Sequence, residues 1–151
     1  MMDRSVLDKS FNQLKAQSLD YSRLKLKAKS AIASMVEAIN ANPLVSDLNS
    51  GETWLRFTYC GRKFLVRCLY NIISMNGSIQ WNELVKNPED TKYEIKLLLN
   101  SNIDKLGNVD GRYSEKDYGQ MFYYFFYDAL RQARKDGEFP LEAFSLYPEG
   151  K

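Results

Sequence analysis

Residues 53–81, TWLRFTYCGRKFLVRCLYNIISMNGSIQW, decide the fold. At the start of this stretch Leu55, Phe57 and Tyr59 occupy every second position, which is the period of a strand with one buried face. The pattern predicts a first strand over residues 53–60.

A two-residue turn is predicted at Gly61-Arg62, because glycine in the first position is typical of a type II′ hairpin. This register places an apolar or aromatic residue at every inward position of the two strands. The inward pairs are Tyr59 with Phe64, Phe57 with Val66, and Leu55 with Cys68.

A second turn is predicted at Asn76-Gly77, the strongest sequence signal for a type I′ hairpin. It sets Ile72 opposite Trp81 and Ser74 opposite Ile79. The two turns agree on one buried face, and a slip of one residue in either would destroy the match.

A further strand is predicted over residues 92–99, with Tyr93, Ile95, Leu97 and Leu99 inward. The turn-rich residues 100–113 leave room for a short fifth strand. Residues 53–99 are therefore expected to form an antiparallel β-meander of four strands, with a fifth as the alternative.

A long helix is predicted over residues 1–41, and Asn42-Pro43 ends it. The positions that recur every seven residues are Leu7, Leu14, Tyr21, Ala28 and Met35. As one rod this helix would extend about 58 Å, longer than a domain of this size needs. A break near residues 18–20, with Asp20 capping a second helix, is favoured; the alternative is a first half that protrudes toward a partner.

A second helix is predicted over residues 114–136, with Ser114 and Asp117 resembling a capping box. The tail, residues 137–151, carries Phe139, Leu141, Phe144 and Leu146 and is expected to pack in extended form on the domain or on a neighbour. The expected fold is a single α+β domain over residues 1–151. It is a two-layer sandwich in which the long N-terminal helix and the aromatic C-terminal helix cover one face of the sheet.

Composition excludes several classes of function. The chain has 151 residues, a formal net charge of +2, two cysteines and no histidine. Histidine is the commonest general base and metal ligand, so its absence argues against catalysis and against zinc sites. No enzyme activity, cofactor or metal is expected.

A cytoplasmic, non-membrane protein is predicted. The start of the chain lacks the apolar run of a signal peptide, and no stretch approaches the ~20 apolar residues that span a bilayer. Two cysteines give no disulfide framework and fit a reducing compartment.

A basic strip is predicted on the outward face of the sheet. The predicted register places Arg56 opposite Arg67, with Lys63 and the turn residue Arg62 beside them and Trp54 at the end. This strip suits an acidic protein surface or phosphates; the alternative is that the arginines splay apart and are screened by water. The same face is apolar at Leu65, Leu69, Ile73, Met75 and Leu98, so either a partner or the first helix is expected to cover it.

A second candidate surface lies on the C-terminal helix, where Tyr123, Tyr127 and Arg131 fall on one outer line. Tyrosine beside arginine is typical of interface anchors, although the tail or the first helix packing over them is the alternative. Of the two thiols, Cys68 is expected to be inert packing, and the cations around Cys60 are expected to lower its pKa.

These features predict a non-catalytic protein-binding module, namely an adaptor, inhibitor, immunity or chaperone-like protein that binds another protein or its own copy. The alternative is a nucleic-acid-binding accessory protein that uses the basic N-terminal half. Residues 1–70 hold 11 Lys/Arg and 6 Asp/Glu, a balance of 11 − 6 = +5.

Overall fold

The computed structural model describes residues 4–89, 92–135 and 138, without the side chains of residues 4–7 and 16–18. A long helix leads into five strands, and a single 3₁₀ turn, Glu115–Asp117, precedes the last helix. The elements are α1 (Arg4–Asn40), β1 (Val45–Ser50), β2 (Trp54–Tyr59), β3 (Arg62–Asn71), β4 (Asn76–Lys86), β5 (Tyr93–Ile103) and α2 (Tyr118–Ala133).

The five strands form one antiparallel meander in the order β1-β2-β3-β4-β5, and both helices pack on the same face of it. The predicted α+β class and the two-layer arrangement are confirmed. The fifth strand is β1, which precedes the predicted meander, whereas residues 104–113 contribute only isolated bridges at Val109. The predicted position of a fifth strand was therefore wrong.

The β2–β3 turn lies one residue earlier than predicted. Tyr59 pairs with Arg62, and the two residues between them, Cys60 and Gly61, have φ of 51° and 77°. Two consecutive positive φ angles define a type I′ turn, whose twist matches that of the flanking strands better than other two-residue turns. The register moves by two residues, so Phe57 faces Phe64, and the side chains of residues 54–59 and 63–70 keep their predicted faces.

The β3–β4 turn does not use Asn76-Gly77, which instead begins β4. The chain reverses over residues 72–75, where the Asn71 side chain accepts hydrogen bonds from the backbone N–H groups of Ile73 and Ser74. Ile72, predicted inward, is consequently 69% exposed.

Gly77 is needed for packing. A Cβ on Gly77 would lie 2.9 Å from the Leu24 side chain of α1 and 2.9 Å from that of Ile103. The absence of a side chain lets α1 approach the sheet closely at this point.

A β-bulge separates the two halves of β5. Trp81 pairs with Leu99 and Asn82 pairs with Leu97, which leaves Leu98 as an extra residue without a partner. One extra residue reverses the alternation, so the residues before it, Tyr93, Ile95 and Leu97, lie on the face opposite to the predicted one. Leu99 stays inward and packs against the core as predicted.

The core between the layers is aromatic. Phe57 stacks on Phe64 at 5.4 Å between ring centroids and on Phe126 of α2 at 5.7 Å. Trp81 packs edge-on against Phe126 at 6.0 Å. The buried stripe of α1 completes this core with Leu24, Ala28, Ala31, Ile32, Met35 and Ile39.

Helix α1 is continuous, so the break favoured near residues 18–20 is absent. Asp20 does not cap a helix; its carboxylate lies 3.4 Å from the Lys105 ammonium. Over 37 residues α1 is about 55 Å long. Its exposed residues 8–15 and Leu19 project beyond the core.

The capping box of Ser114 and Asp117 is present, at the 3₁₀ turn that precedes α2. Helix α2 ends at Ala133, before the predicted end at residue 136. The expectation that the tail packs in extended form falls on residues 137–151, which lie outside the described residues except for Glu138.

Replacing Gly77 by alanine should destabilise the protein by about 1–3 kcal/mol, because the new methyl group overpacks the contact between Leu24 and Ile103. Gly119→Ala in α2 is the matched control, since nothing lies within 4 Å of its added Cβ. Urea unfolding measures both, and equal midpoints for the two variants would contradict the close approach at Gly77.

Candidate functional site

The candidate site is the face of the sheet turned away from both helices, and none of the described elements covers it. The alternation of β2, β3 and β4 and the bulge in β5 determine which side chains it carries. We call this surface the open face. Its main side chains are Trp54, Arg56, Lys63, Leu65, Arg67, Leu69, Leu84, Lys86, Tyr93, Ile95 and Leu97.

The charges of the open face are all positive in the described strands β2–β5. They come from Arg56, Lys63, Arg67 and Lys86, and no aspartate or glutamate occupies an outward position there. A surface with one sign of charge and no internal counterion attracts acidic groups at short range.

Arg56 does not lie opposite Arg67, because the register of β2 and β3 differs from the predicted one by two residues. Arg56 pairs with Leu65, is exposed, and has no ion pair or hydrogen bond with the described residues. Arg67 pairs with Trp54, and its Nε donates to the Gln80 side chain at 3.1 Å.

Lys63 and Tyr93 form a polar contact across the open face. The Lys63 ammonium donates to the Tyr93 hydroxyl at 2.9 Å and lies 4.7 Å from the centre of the ring. This hydrogen bond from a cation favours the phenolate, so it holds the pKa of Tyr93 below its ordinary value.

Aliphatic side chains form the second component of the open face, and most of them were not predicted from the sequence. Ile95 is 50% exposed and Leu97 is 52% exposed. The bulge at Leu98 turns them outward. The run Leu97-Leu98-Leu99 breaks the strict alternation and was the available signal of a bulge.

Arg62 lies on the opposite face and does not belong to the basic strip. Its Nη1 donates to the Glu83 carboxylate at 2.8 and 3.1 Å and to the Ala133 carbonyl at 2.7 Å. Glu83 is only 7% exposed, so Arg62 balances a buried charge and satisfies the C-terminus of α2. Its role is structural.

The tyrosines of α2 are separated from the open face by the thickness of the sheet. Tyr127 is 48% exposed, and the Arg131 guanidinium lies 5.8 Å from its ring centre. Tyr123 is half-buried and packs edge-on against Phe122 at 5.4 Å. The two predicted surfaces are therefore not contiguous, and the open face unites only Trp54, Arg56, Lys63 and Arg67 of the predicted residues.

A cleft of about 460 Å³ adjoins the open face where β2 begins. Trp54 and Leu69 of the sheet line it together with Tyr21 of α1 and Tyr70 of β3. The Tyr70 hydroxyl is buried without a hydrogen-bond partner among the described residues. The size and the mixed lining suit one large apolar or aromatic side chain with a polar group.

Neither thiol has the environment of a reactive nucleophile. Burial raises the pKa of Cys60 and outweighs the opposing effect of Arg134, so the predicted lowering was wrong. Burial also raises the pKa of Cys68 to about 12.

The described part of the chain shows neither a metal-binding cluster nor a membrane-spanning helix. It holds no group of three or more cysteine, aspartate or glutamate side chains able to bind a metal ion. No described helix is long and apolar enough to cross a membrane.

Comparison with protein families, curated sequences and solved structures gives no match to this chain.

Arg62→Met should lower the free energy of unfolding by about 2–3 kcal/mol, because it leaves the Glu83 carboxylate buried without its cation. Arg56→Met, on the exposed face, should change it by less than about 0.5 kcal/mol. Chemical denaturation compares the two variants. Equal losses would show that the two arginines do not differ in role.

Lys63→Met should raise the pKa of Tyr93 toward the ordinary tyrosine value, because the hydrogen bond that favours the phenolate is lost. Carbon NMR of the tyrosine rings across alkaline pH measures the shift, and Tyr93→Phe identifies the signal. An unchanged midpoint would contradict the contact between Lys63 and Tyr93.

Proposed function

We propose that this chain is a non-catalytic protein-binding module whose open face takes an acidic partner segment with apolar side chains. The observation that carries the proposal is the composition of that face. Four cationic side chains surround half-exposed leucine and isoleucine side chains, and no aspartate or glutamate of β2–β5 points outward beside them.

The apolar part of the open face favours a protein as its ligand. Each Å² of such surface removed from water contributes about 25 cal/mol, and a monomer rarely leaves a contiguous apolar patch exposed without a use. Ile95 and Leu97 lie in neighbouring outward positions next to Leu84, so a partner can cover them together.

The charged residues of the open face determine which kind of protein partner fits it. Two copies of the open face would oppose Arg56 and Arg67 to like charges, which is unfavourable. Aspartate or glutamate side chains opposite these arginines would form charge-assisted hydrogen bonds instead. A partner rich in acidic residues therefore fits better than self-association through this face.

The cleft beside Trp54 supplies an anchoring position. Interfaces derive most of their affinity from a few large side chains that fill pockets, and this cleft lies directly at the end of the open face. We infer that a tyrosine, tryptophan or other large side chain of the partner occupies it and packs against Trp54 and Tyr70.

Single-stranded nucleic acid is the second candidate. Trp54 is 36% exposed and Tyr93 is 46% exposed beside the cations, and exposed rings next to a basic groove are typical of stacking platforms. The aliphatic side chains of the face contribute nothing to phosphate binding, so protein is the preferred ligand. Phosphate binding would weaken steeply with salt, by about 0.7 log unit per log unit of salt for each contact on a single strand.

The test is affinity capture from cells of the native host with the double variant Arg56→Glu/Arg67→Glu. A protein captured by the unaltered chain should be retained at least tenfold less by this variant, because two attractions become repulsions. Arg131→Glu, a single charge reversal on α2, is the control and should retain it fully.

The captured protein is then produced alone and titrated against the unaltered chain and both variants, with and without nuclease. Loss of binding confined to Arg56→Glu/Arg67→Glu supports the proposal. Equal retention by both variants overturns it, and binding that nuclease abolishes assigns the face to nucleic acid.

A further inference from the structure

The N-terminal half of α1 presents a second unpartnered surface, unconnected with the open face. Among the side chains of α1 that the structure describes, the first to contact the rest of the domain are Asp20, in an ion pair with Lys105, and Tyr21, which packs on Tyr70 at 5.2 Å. Before them, Phe11 is 66% exposed and Leu14 is 65% exposed. We call residues 4–19 the projecting segment.

Phe11 and Leu14 continue the stripe by which α1 packs on the sheet. Leu14 is followed at intervals of seven by Tyr21, Ala28 and Met35, and Phe11 lies twenty-one residues before Ile32. Ala28, Ile32 and Met35 are buried in the core. A seven-residue repeat keeps one seam of a helix facing a partner, and in heptad terms Phe11 is an a position and Leu14 a d position.

The charged residues beside this seam indicate which partner helix can pack against it. Asp8 and Lys15 are both exposed and both follow a d position, so both are e positions. In an antiparallel pair of helices, e positions lie beside e positions of the other helix. With Phe11 facing Leu14 of a second copy, Asp8 lies beside Lys15 of that copy, and the symmetry of the pair repeats the contact.

A parallel pair gains nothing comparable, since e positions then lie beside g positions and Lys15 meets the neutral Ser10. We propose that the projecting segment forms an antiparallel two-helix contact with the projecting segment of a second copy of this chain. The seam is short, so the interface falls below the ~1,200 Å² of stable complexes, and the dimer is weak and dependent on concentration.

Sedimentation equilibrium of the full chain tests the proposal at concentrations on the order of 0.1–1 mM. The unaltered chain should associate to a dimer. Asp8→Lys and Lys15→Asp should each raise the dissociation constant about tenfold or more, because each turns both ion pairs into repulsions. Lys9→Asp changes a charge at an f position, which faces away from the seam. It is the control and should leave the dissociation constant unchanged.

An equimolar mixture of Asp8→Lys and Lys15→Asp gives the decisive result. One chain then carries two lysines and the other two aspartates at the e positions, so both contacts are attractive only in the mixed antiparallel pair. The mixture should regain the association of the unaltered chain. Phe11→Ser/Leu14→Ser should abolish association without changing the unfolding temperature of the dilute monomer, because both side chains are already exposed there.

A monomer at the highest concentration overturns the proposal, as does a mixture that remains monomeric. Neither result bears on the open face, because that surface is tested with Arg56 and Arg67.

Discussion

The ring of Phe126 is the contact on which the arrangement of the two layers depends. It lies within 6.0 Å, centre to centre, of rings from two strands and from its own helix, namely Phe57, Tyr59, Trp81 and Phe122. Aromatic pairs at such distances add to the free energy of burial. They fix α2, and beside it α1, to one face of the sheet, and the opposite face is left without cover from the described chain.

The alternation of side chains was predictable from the sequence even where the turns were not. The β2–β3 register moved by two residues and the β3–β4 register by six, and an even shift leaves each side chain on its face. The buried positions Leu55, Phe64 and Val66 were therefore identified correctly. The bulge at Leu98, a shift of one, reversed the predicted faces of Tyr93, Ile95 and Leu97, because local alternation does not show where one strand carries an extra residue relative to its partner.

The candidate site was predicted in part for the same reason. Trp54, Arg56, Lys63 and Arg67 follow from the alternation of β2 and β3, whereas Ile95 and Leu97 required the bulge. Arg62 was misplaced because its role depends on Glu83, twenty-one residues away, and on the end of α2. Long-range partners of this kind leave no trace in the local pattern of charges.

The open face and the projecting segment point in different directions, so a partner bound at one does not block the other. The stripe of α1 faces the inner side of the sheet, so a second copy paired along the projecting segment leaves the open face accessible on each copy. A weak dimer would then carry two open faces. Binding of a partner with two acidic segments would turn the second contact into an intramolecular one, which raises the effective concentration without any new interaction. Weak self-association through α1 and modest affinity at the open face would thus together give tight binding to a repeated or multivalent partner.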